Sequence, residues 1–181
     1  LIMLLRPLFC LLALTTLLGS SLFAERLSDP KRVWQGIPGL ERTTKGRVFM
    51  SWFSGGPKEP AAENEVLLCW SDDGAKTFTS PQVMGEPGNG TRCFDPTLWI
   101  DPKGRLWYVF NRGNRDTAVH DVHARICDEP DATPPVFGAE FRVGFDEALF
   151  AFRMNKPTVL SSGEWVMPVT HAAKPTHEWF Q

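Results

Sequence analysis

Three short polar stretches hold the side chains with which this chain could do chemistry. "TRCFDP" sets Arg92 three residues before Asp95, "MNKP" sets Asn155 beside Lys156, and "WQGIP" brings Gln35. Each ends in a proline that opens an apolar stretch, so the three sets stand at equivalent places. A guanidinium or an ammonium can grip an anion, an amide can bond a hydroxyl, and a carboxylate can move a proton. Such groups converging on one concave face suit a sugar or uronate site. Arg92, Asn155, Lys156 and Gln35 are therefore the expected substrate contacts. Glu63 is the preferred acid/base, with Asp95 as a second catalytic carboxylate. Each has a plain alternative: Asp95 as a strand cap, Arg92 and Lys156 as solvated cations, Glu63 as an exposed loop carboxylate.

The elements that must position these residues follow from an internal repeat. "IPGLERTTKGRVFMSWFSGG" from Ile37 and "DPTLWIDPKGRLWYVFNRGN" from Asp95 are offset by 95 − 37 = 58 residues. At that offset Pro38 meets Pro96, Leu40 meets Leu98, and Lys45-Gly46-Arg47 meets Lys103-Gly104-Arg105. Cys69 then meets Cys127, and Asp73 meets Asp131. "KPTVLSSGEWVMPV" carries Pro157, Gly163 and Trp165 in the same roles about one unit later. Each unit reads as four strands, at 37–42, 47–53, 65–71 and 77–84, then at 95–100, 105–110, 120–127 and 137–143. Four strands per unit of 40–60 residues is a propeller blade, which buries its faces only against neighbouring blades. The fold class is all-β, a β-propeller: a first blade over about 33–86, a second over about 92–145 and a partial third over about 152–181. Glu63 and Glu65 share positions with Asp121 and His123 at the starts of the third strands. His120 and His123 would point to opposite faces of theirs, which disfavours a shared metal.

Between the third and fourth strands of the first unit lies "SDDGAKTF", residues 71–78, which looks catalytic but reads as architecture. Ser71 and Asp73 can accept hydrogen bonds from turn amides, and Gly74 supplies a positive φ. Thr77 completes the turn and Phe78 returns as an apolar plug. The stretch resembles the Asp-box of the sialidase (neuraminidase) superfamily, Ser-x-Asp-Gly-x-x-Thr followed by Trp or Phe. The Ile37-Pro38 strand resembles the first blade of that superfamily and the Asp95-Pro96 strand its second. The similarity runs from about Trp34 to Pro168. It implies a propeller of six blades, needing roughly 350 residues at this repeat length, and hydrolysis of a terminal acidic sugar such as sialic acid. It also implies three arginines on a carboxylate, an aspartate acid/base and a tyrosine nucleophile activated by a glutamate. Here Gly36 stands where the first arginine belongs, and no aspartate follows Phe53 and Ser54. The sole tyrosine, Tyr108, falls mid-strand. A divergent glycosidase is the leading expectation, and a non-catalytic propeller that binds glycan or protein is the alternative.

The remaining sequence sets the context. Arg6, an apolar run from Pro7 to Leu18, and the small residues Gly19, Ser20, Ser21 and Ala24 have the layout of a secretory leader over 1–24, so a secreted or periplasmic location is expected. The run is too short to span a bilayer comfortably. A net charge of −2 offers no basic face to nucleic acid. Seven tryptophans and thirteen phenylalanines, among fifteen glycines and fifteen prolines, favour short strands and tight turns over long helices. Cys69, Cys93 and Cys127 outlast the leader; one disulfide with a spare thiol or three buried thiols are both allowed. No cysteine and histidine spacing suggests a metal, and no cofactor is expected. The first residue, Leu1, and the ending "HEWFQ" read as the bounds of a fragment.

Overall fold

The computed structural model describes residues 29–113, 120–143, 150–153 and 155–172; the expected leader lies outside them. Strands β1 (Gln35–Arg42), β2 (Val48–Ser54), β3 (Glu65–Ser71) and β4 (Gln82–Gly85) form an antiparallel meander in that order. β5 (Arg92–Ile100), β6 (Leu106–Gly113), β7 (His120–Cys127) and β8 (Phe141–Arg142) form a second. A third unit begins with β9 (Phe150–Arg153), paired to β12 (Val169–Ala172), and β10 (Thr158–Val159), paired to β11 (Trp165–Val166). The 58-residue repeat is thus a structural one.

Its clearest mark is the first hairpin of each unit. Thr43 N–H donates to Arg47 O and Gly46 N–H to Thr43 O; Asp101 with Arg105 and Gly104, and Leu160 with Glu164 and Gly163, repeat that pair of bonds. The three glycines have φ of 103°, 80° and 89°, a region that side chains rarely enter. In the second hairpin the buried Asp101 carboxylate also accepts from the Lys103 and Arg105 amides, Arg105 Nε and Trp107 Nε1. Burial alone would raise the Asp101 pKa, but these donors outweigh it and hold it below the usual carboxylate range.

Two expected boundaries are corrected. The innermost strands start earlier than expected, at Gln35 and Arg92 instead of 37 and 95. A proline reads as a strand start because it lacks an N–H. Both strands bulge just there, between Gly36 and Gly39 and between Phe94 and Thr97, and pairing resumes beyond, at Gln35↔Ser54 and Arg92↔Gly113. The fourth strands are shorter than expected, because residues 72–81 belong to the loop before β4 and residues 128–140 to the longer connection before β8.

The 71–78 loop is a closed hydrogen-bond circuit. Asp73 Oδ1 accepts from the Lys76 and Thr77 amides, both at 2.9 Å, and Asp73 Oδ2 accepts from Thr77 Oγ1 at 2.6 Å. Ser71 Oγ donates to Asp73 Oδ1 and accepts from the Ala75 amide. Gly74 turns at φ 74°, and Phe78 packs against the buried cluster of Trp52, Leu67 and Cys69. Bonds from Thr77 and Ser71 hold the Asp73 carboxyl well below the usual carboxylate range.

The two sheets bury one core. Phe49, Phe53, Val66, Leu68, Trp70 and Met84 of the first meet Cys93, Phe94, Leu98, Leu106, Tyr108, Phe110 and Cys127 of the second. Tyr108 is fully buried, and its hydroxyl donates to Leu67 O across the interface at 2.9 Å. Arg47 fastens the rim: its guanidinium grips Asp72 through Nε and Nη2, and reaches Pro130 O, Ala132 O and Thr133 Oγ1 of the second unit. Thr43 Oγ1 donates to Asp131 Oδ1 beside it. Arg47→Ala would strand two carbonyls and open this junction. We expect a loss of about 2–4 kcal/mol in denaturant unfolding, while Arg105→Ala, whose guanidinium is more exposed and bonds within its own hairpin, should cost less. Asp73 yields a pH test. Its folded pKa is depressed, so its contribution is full above the unfolded aspartate value of about 3.9 and fades as pH falls toward the folded value. The Tm gap between the native protein and Asp73→Ala should therefore be constant near neutrality and close on acidification.

Candidate functional site

The polar end of the first two units is built on the β2–β3 connection, residues 55–64. Gly55 turns at φ 107°, and a Cβ there would sit 2.3 Å from Glu63 O, so the chain doubles back where only glycine fits. Asn64, fully buried, closes the loop by donating Nδ2–H to Gly55 O at 2.7 Å and accepting from the Ala61 amide on Oδ1. The same Oδ1 accepts from Arg92 Nη1 at 3.1 Å, and Asn64 O accepts from the Cys93 amide. One buried amide thus ties the first unit's loop to the start of β5.

Arg92 lies flat on Phe94, its Cζ 3.9 Å from the ring centroid. Asp95 occupies the β5 bulge at φ 46°, a left-handed conformation that aspartate tolerates better than most residues. Bulges re-aim side chains and recur beside active sites. Glu59, on the 55–64 loop, completes the group. Partial burial of its carboxyl and the negative charge of Asp95 raise its pKa above the usual carboxylate range, against a smaller opposing pull from Arg92. Two carboxylates and one guanidinium are therefore close enough to act on the Glu59 charge, and a raised carboxyl in such company is a candidate acid.

Arg92 and Asp95 stand three residues apart on β5, and Glu59 lies within electrostatic reach of both. Glu63 is on the same loop, but its Oε2 folds over Gly56, where a Cβ would begin 3.1 Å away. Gln35 stands at the same end of β1, its Oε1 accepting from Trp52 Nε1 at 3.0 Å. Asn155 and Lys156 are elsewhere: exposed, in the gap between β9 and β10, with Lys156 Nζ 3.3 Å from Glu41 Oε2, six residues along β1 from Gln35. Asn155 bonds the Lys156 amide. Ser71, Asp73, Gly74, Thr77 and Phe78 are confined to their loop. Glu65 pairs with Arg32 and Asp121 with Arg142.

Gly36 is filled by its neighbour: a Cβ there would meet Trp34 Cη2 at 2.6 Å. The indole itself packs on Phe53 with centroids 4.6 Å apart. A second support was not legible in the sequence. Arg112 is gripped bidentately by Glu140 and donates from Nη1 to Glu86 O and Thr91 Oγ1, holding the segment that leads into Arg92. His123 Nδ1 lies 2.8 Å from the same carboxylate. Burial would raise the Glu140 pKa, but His123 and Arg112 outweigh it and lower it. Cys69, Cys93 and Cys127 are free and buried, the first two with thiols pushed up to about 12 by desolvation, so none is a thiolate nucleophile at neutral pH.

No family model and no curated protein matches the chain. Solved structures do. The Hadza microbial sialidase Hz136 aligns at a TM-score of 0.63 and 14% identity, over 80% of this chain and 34% of that one. A protein of unknown function from Dyadobacter fermentans DSM 18053 aligns at 0.52 and 18% identity, over 76% of this chain and 44% of that one. The chain thus spans about a third of the first and less than half of the second. At these identities the likeness is one of fold: the described residues are all-β, with the architecture of a sialidase-type β-propeller, two four-stranded blades and part of a third.

Proposed function

We propose that this chain forms part of an exported glycoside hydrolase that releases a terminal sugar, with its acid at Glu59. A fold hosts many activities, so the observation that carries the reading is the Glu59, Asp95 and Arg92 group. Glycoside cleavage needs a proton for the departing oxygen and negative charge beside the developing oxocarbenium centre. Glu59, whose carboxyl is raised by desolvation and by Asp95, is the donor. Asp95, held forward by its bulge, is the facing carboxylate. Arg92 bonds a ring substituent. Glu63 and Gln35 line the approach. The leader-like first 24 residues support export toward extracellular glycans. An acidic sugar, which the resemblance implies, would need a cation for its carboxylate, but Arg92 is engaged by Asn64 and Phe94 and Lys156 stands apart with Glu41.

A second reading, a propeller that binds glycan without cleaving it, is favoured by the indole that fills the space at Gly36. The two separate in one set of assays. The protein carrying this chain is screened on chromogenic glycosides and natural glycans, and sugar release is followed against pH. With the hydrolase reading, Glu59→Gln and Asp95→Asn each lower kcat/KM by about 10²–10⁴-fold at unchanged Tm, and Glu63→Gln stays near the native rate. Since Glu59 acts protonated with a raised pKa, activity falls as pH rises through a value above about 4.3, and that limb is lost in Glu59→Gln. Glycan retention without any release would establish the binding module instead. Neither retention nor release would end both readings.

A further inference from the structure

We infer that the sugar held at this end is uncharged, a neutral hexose or pentose whose apolar flank lies against Ile37. The inference rests on the glycosidase reading above and deepens it. Its basis is a difference between two structurally equivalent bulges. Ile37 and Asp95 occupy the same place in β1 and β5, both at left-handed φ, 53° and 46°. In the second unit the bulge presents a carboxylate. In the first it presents an isoleucine with 49% of its surface open to solvent.

A β-branched residue at positive φ is a strained choice, and such strain persists at functional positions. The first unit's remaining contributions are also uncharged. Gly36 can carry no side chain, because the indole of Trp34 occupies its Cβ direction at 2.6 Å. Gln35 offers an amide. The first unit thus offers exposed Ile37 as an apolar contact and Gln35 as an amide, uncharged groups that suit a sugar's C–H face and its hydroxyls.

The charges at this end do not favour an anion. Arg92 faces Glu59 and Asp95, donates to Asn64 and has one side covered by Phe94. Arg32 is held by Glu65 and Arg112 by Glu140. Lys58 and Glu63 are exposed and of opposite sign on the same loop. A carboxylate on the sugar would meet two protein carboxylates for one partly covered guanidinium, whereas a hydroxyl could bond to any of the three.

Binding is measured by saturation-transfer NMR and calorimetry on the protein carrying this chain, with methyl β-galactoside and methyl α-arabinofuranoside against methyl α-sialoside and methyl β-glucuronide. We expect binding of at least one neutral glycoside and at least tenfold weaker binding of both acidic ones. Ile37→Asn is the decisive variant, because asparagine adopts positive φ readily. It should leave Tm unchanged or raised while weakening the neutral sugar by about tenfold. Tighter binding of an acidic glycoside overturns the inference and leaves the glycosidase reading standing. Unaltered affinity in Ile37→Asn overturns the apolar flank. Binding of none of the four overturns the inference and the glycosidase reading together.

Discussion

A proline in an innermost strand forces a choice that shapes everything at the polar end of this chain. Lacking an N–H, Pro38 and Pro96 each leave a gap in the ladder to the next strand. Both strands are edges of their sheets, where such a gap is tolerated, and both absorb it in a bulge of identical register. The bulge lets pairing resume for Gln35 and Arg92, and it lifts one residue per unit into a left-handed conformation. That lifted position, Ile37 or Asp95, is where the repeat stops being architecture. The same backbone device yields an apolar rim in one blade and a carboxylate in the next.

The bulges are held in place by packing behind them. Phe53 and Phe94 meet edge-on at 6.5 Å between centroids, in the core the two blades share. Fully burying such rings is worth about 1.5–3 kcal/mol each, which outweighs the strain of a bulge. Arg47 and Arg105 show how the repeat has diverged at the opposite end. Arg105 bonds the Asp101 of its own hairpin, while Arg47 meets Thr43 at the corresponding place and spends its guanidinium on Asp72 and the second unit's loop. A short threonine in place of an aspartate frees the arginine to stitch blades together.

Much of this was legible in the sequence. Lys45-Gly46-Arg47 and Lys103-Gly104-Arg105 mark tight hairpins because only glycine takes their φ cheaply, and the apolar runs after them are strands for want of any helical period. "SDDGAKTF" announces its circuit because each donor and acceptor lies within four residues of its partner. The site was legible only where it is local. Arg92 and Asp95 are three residues apart in one strand. Glu59 and Asn64 are recognisable only in space, since their partners lie 28 to 36 residues away. Lys156 failed to join them for the opposite reason: its place in "MNKP" mimics "CFDP", but β9 has already begun at Phe150, so Lys156 falls further along the strand line, beside Glu41.

The residue that most limits change at this end is therefore one that does no chemistry. Asn64 spends its side chain on Gly55 O, the Ala61 amide and Arg92, and its carbonyl on Cys93. It fixes the loop that carries Glu59 and the strand that carries Asp95 in one frame, so the distance between the two carboxylates is set by a buried amide and not by the loop's own preferences. The raised pKa of Glu59 comes first from desolvation and then from Asp95, and both depend on where this loop is held. The polarity of the site is in that sense a property of the core, and the exposed residues of the 55–64 loop, Lys58 and Glu63 among them, can vary without erasing it.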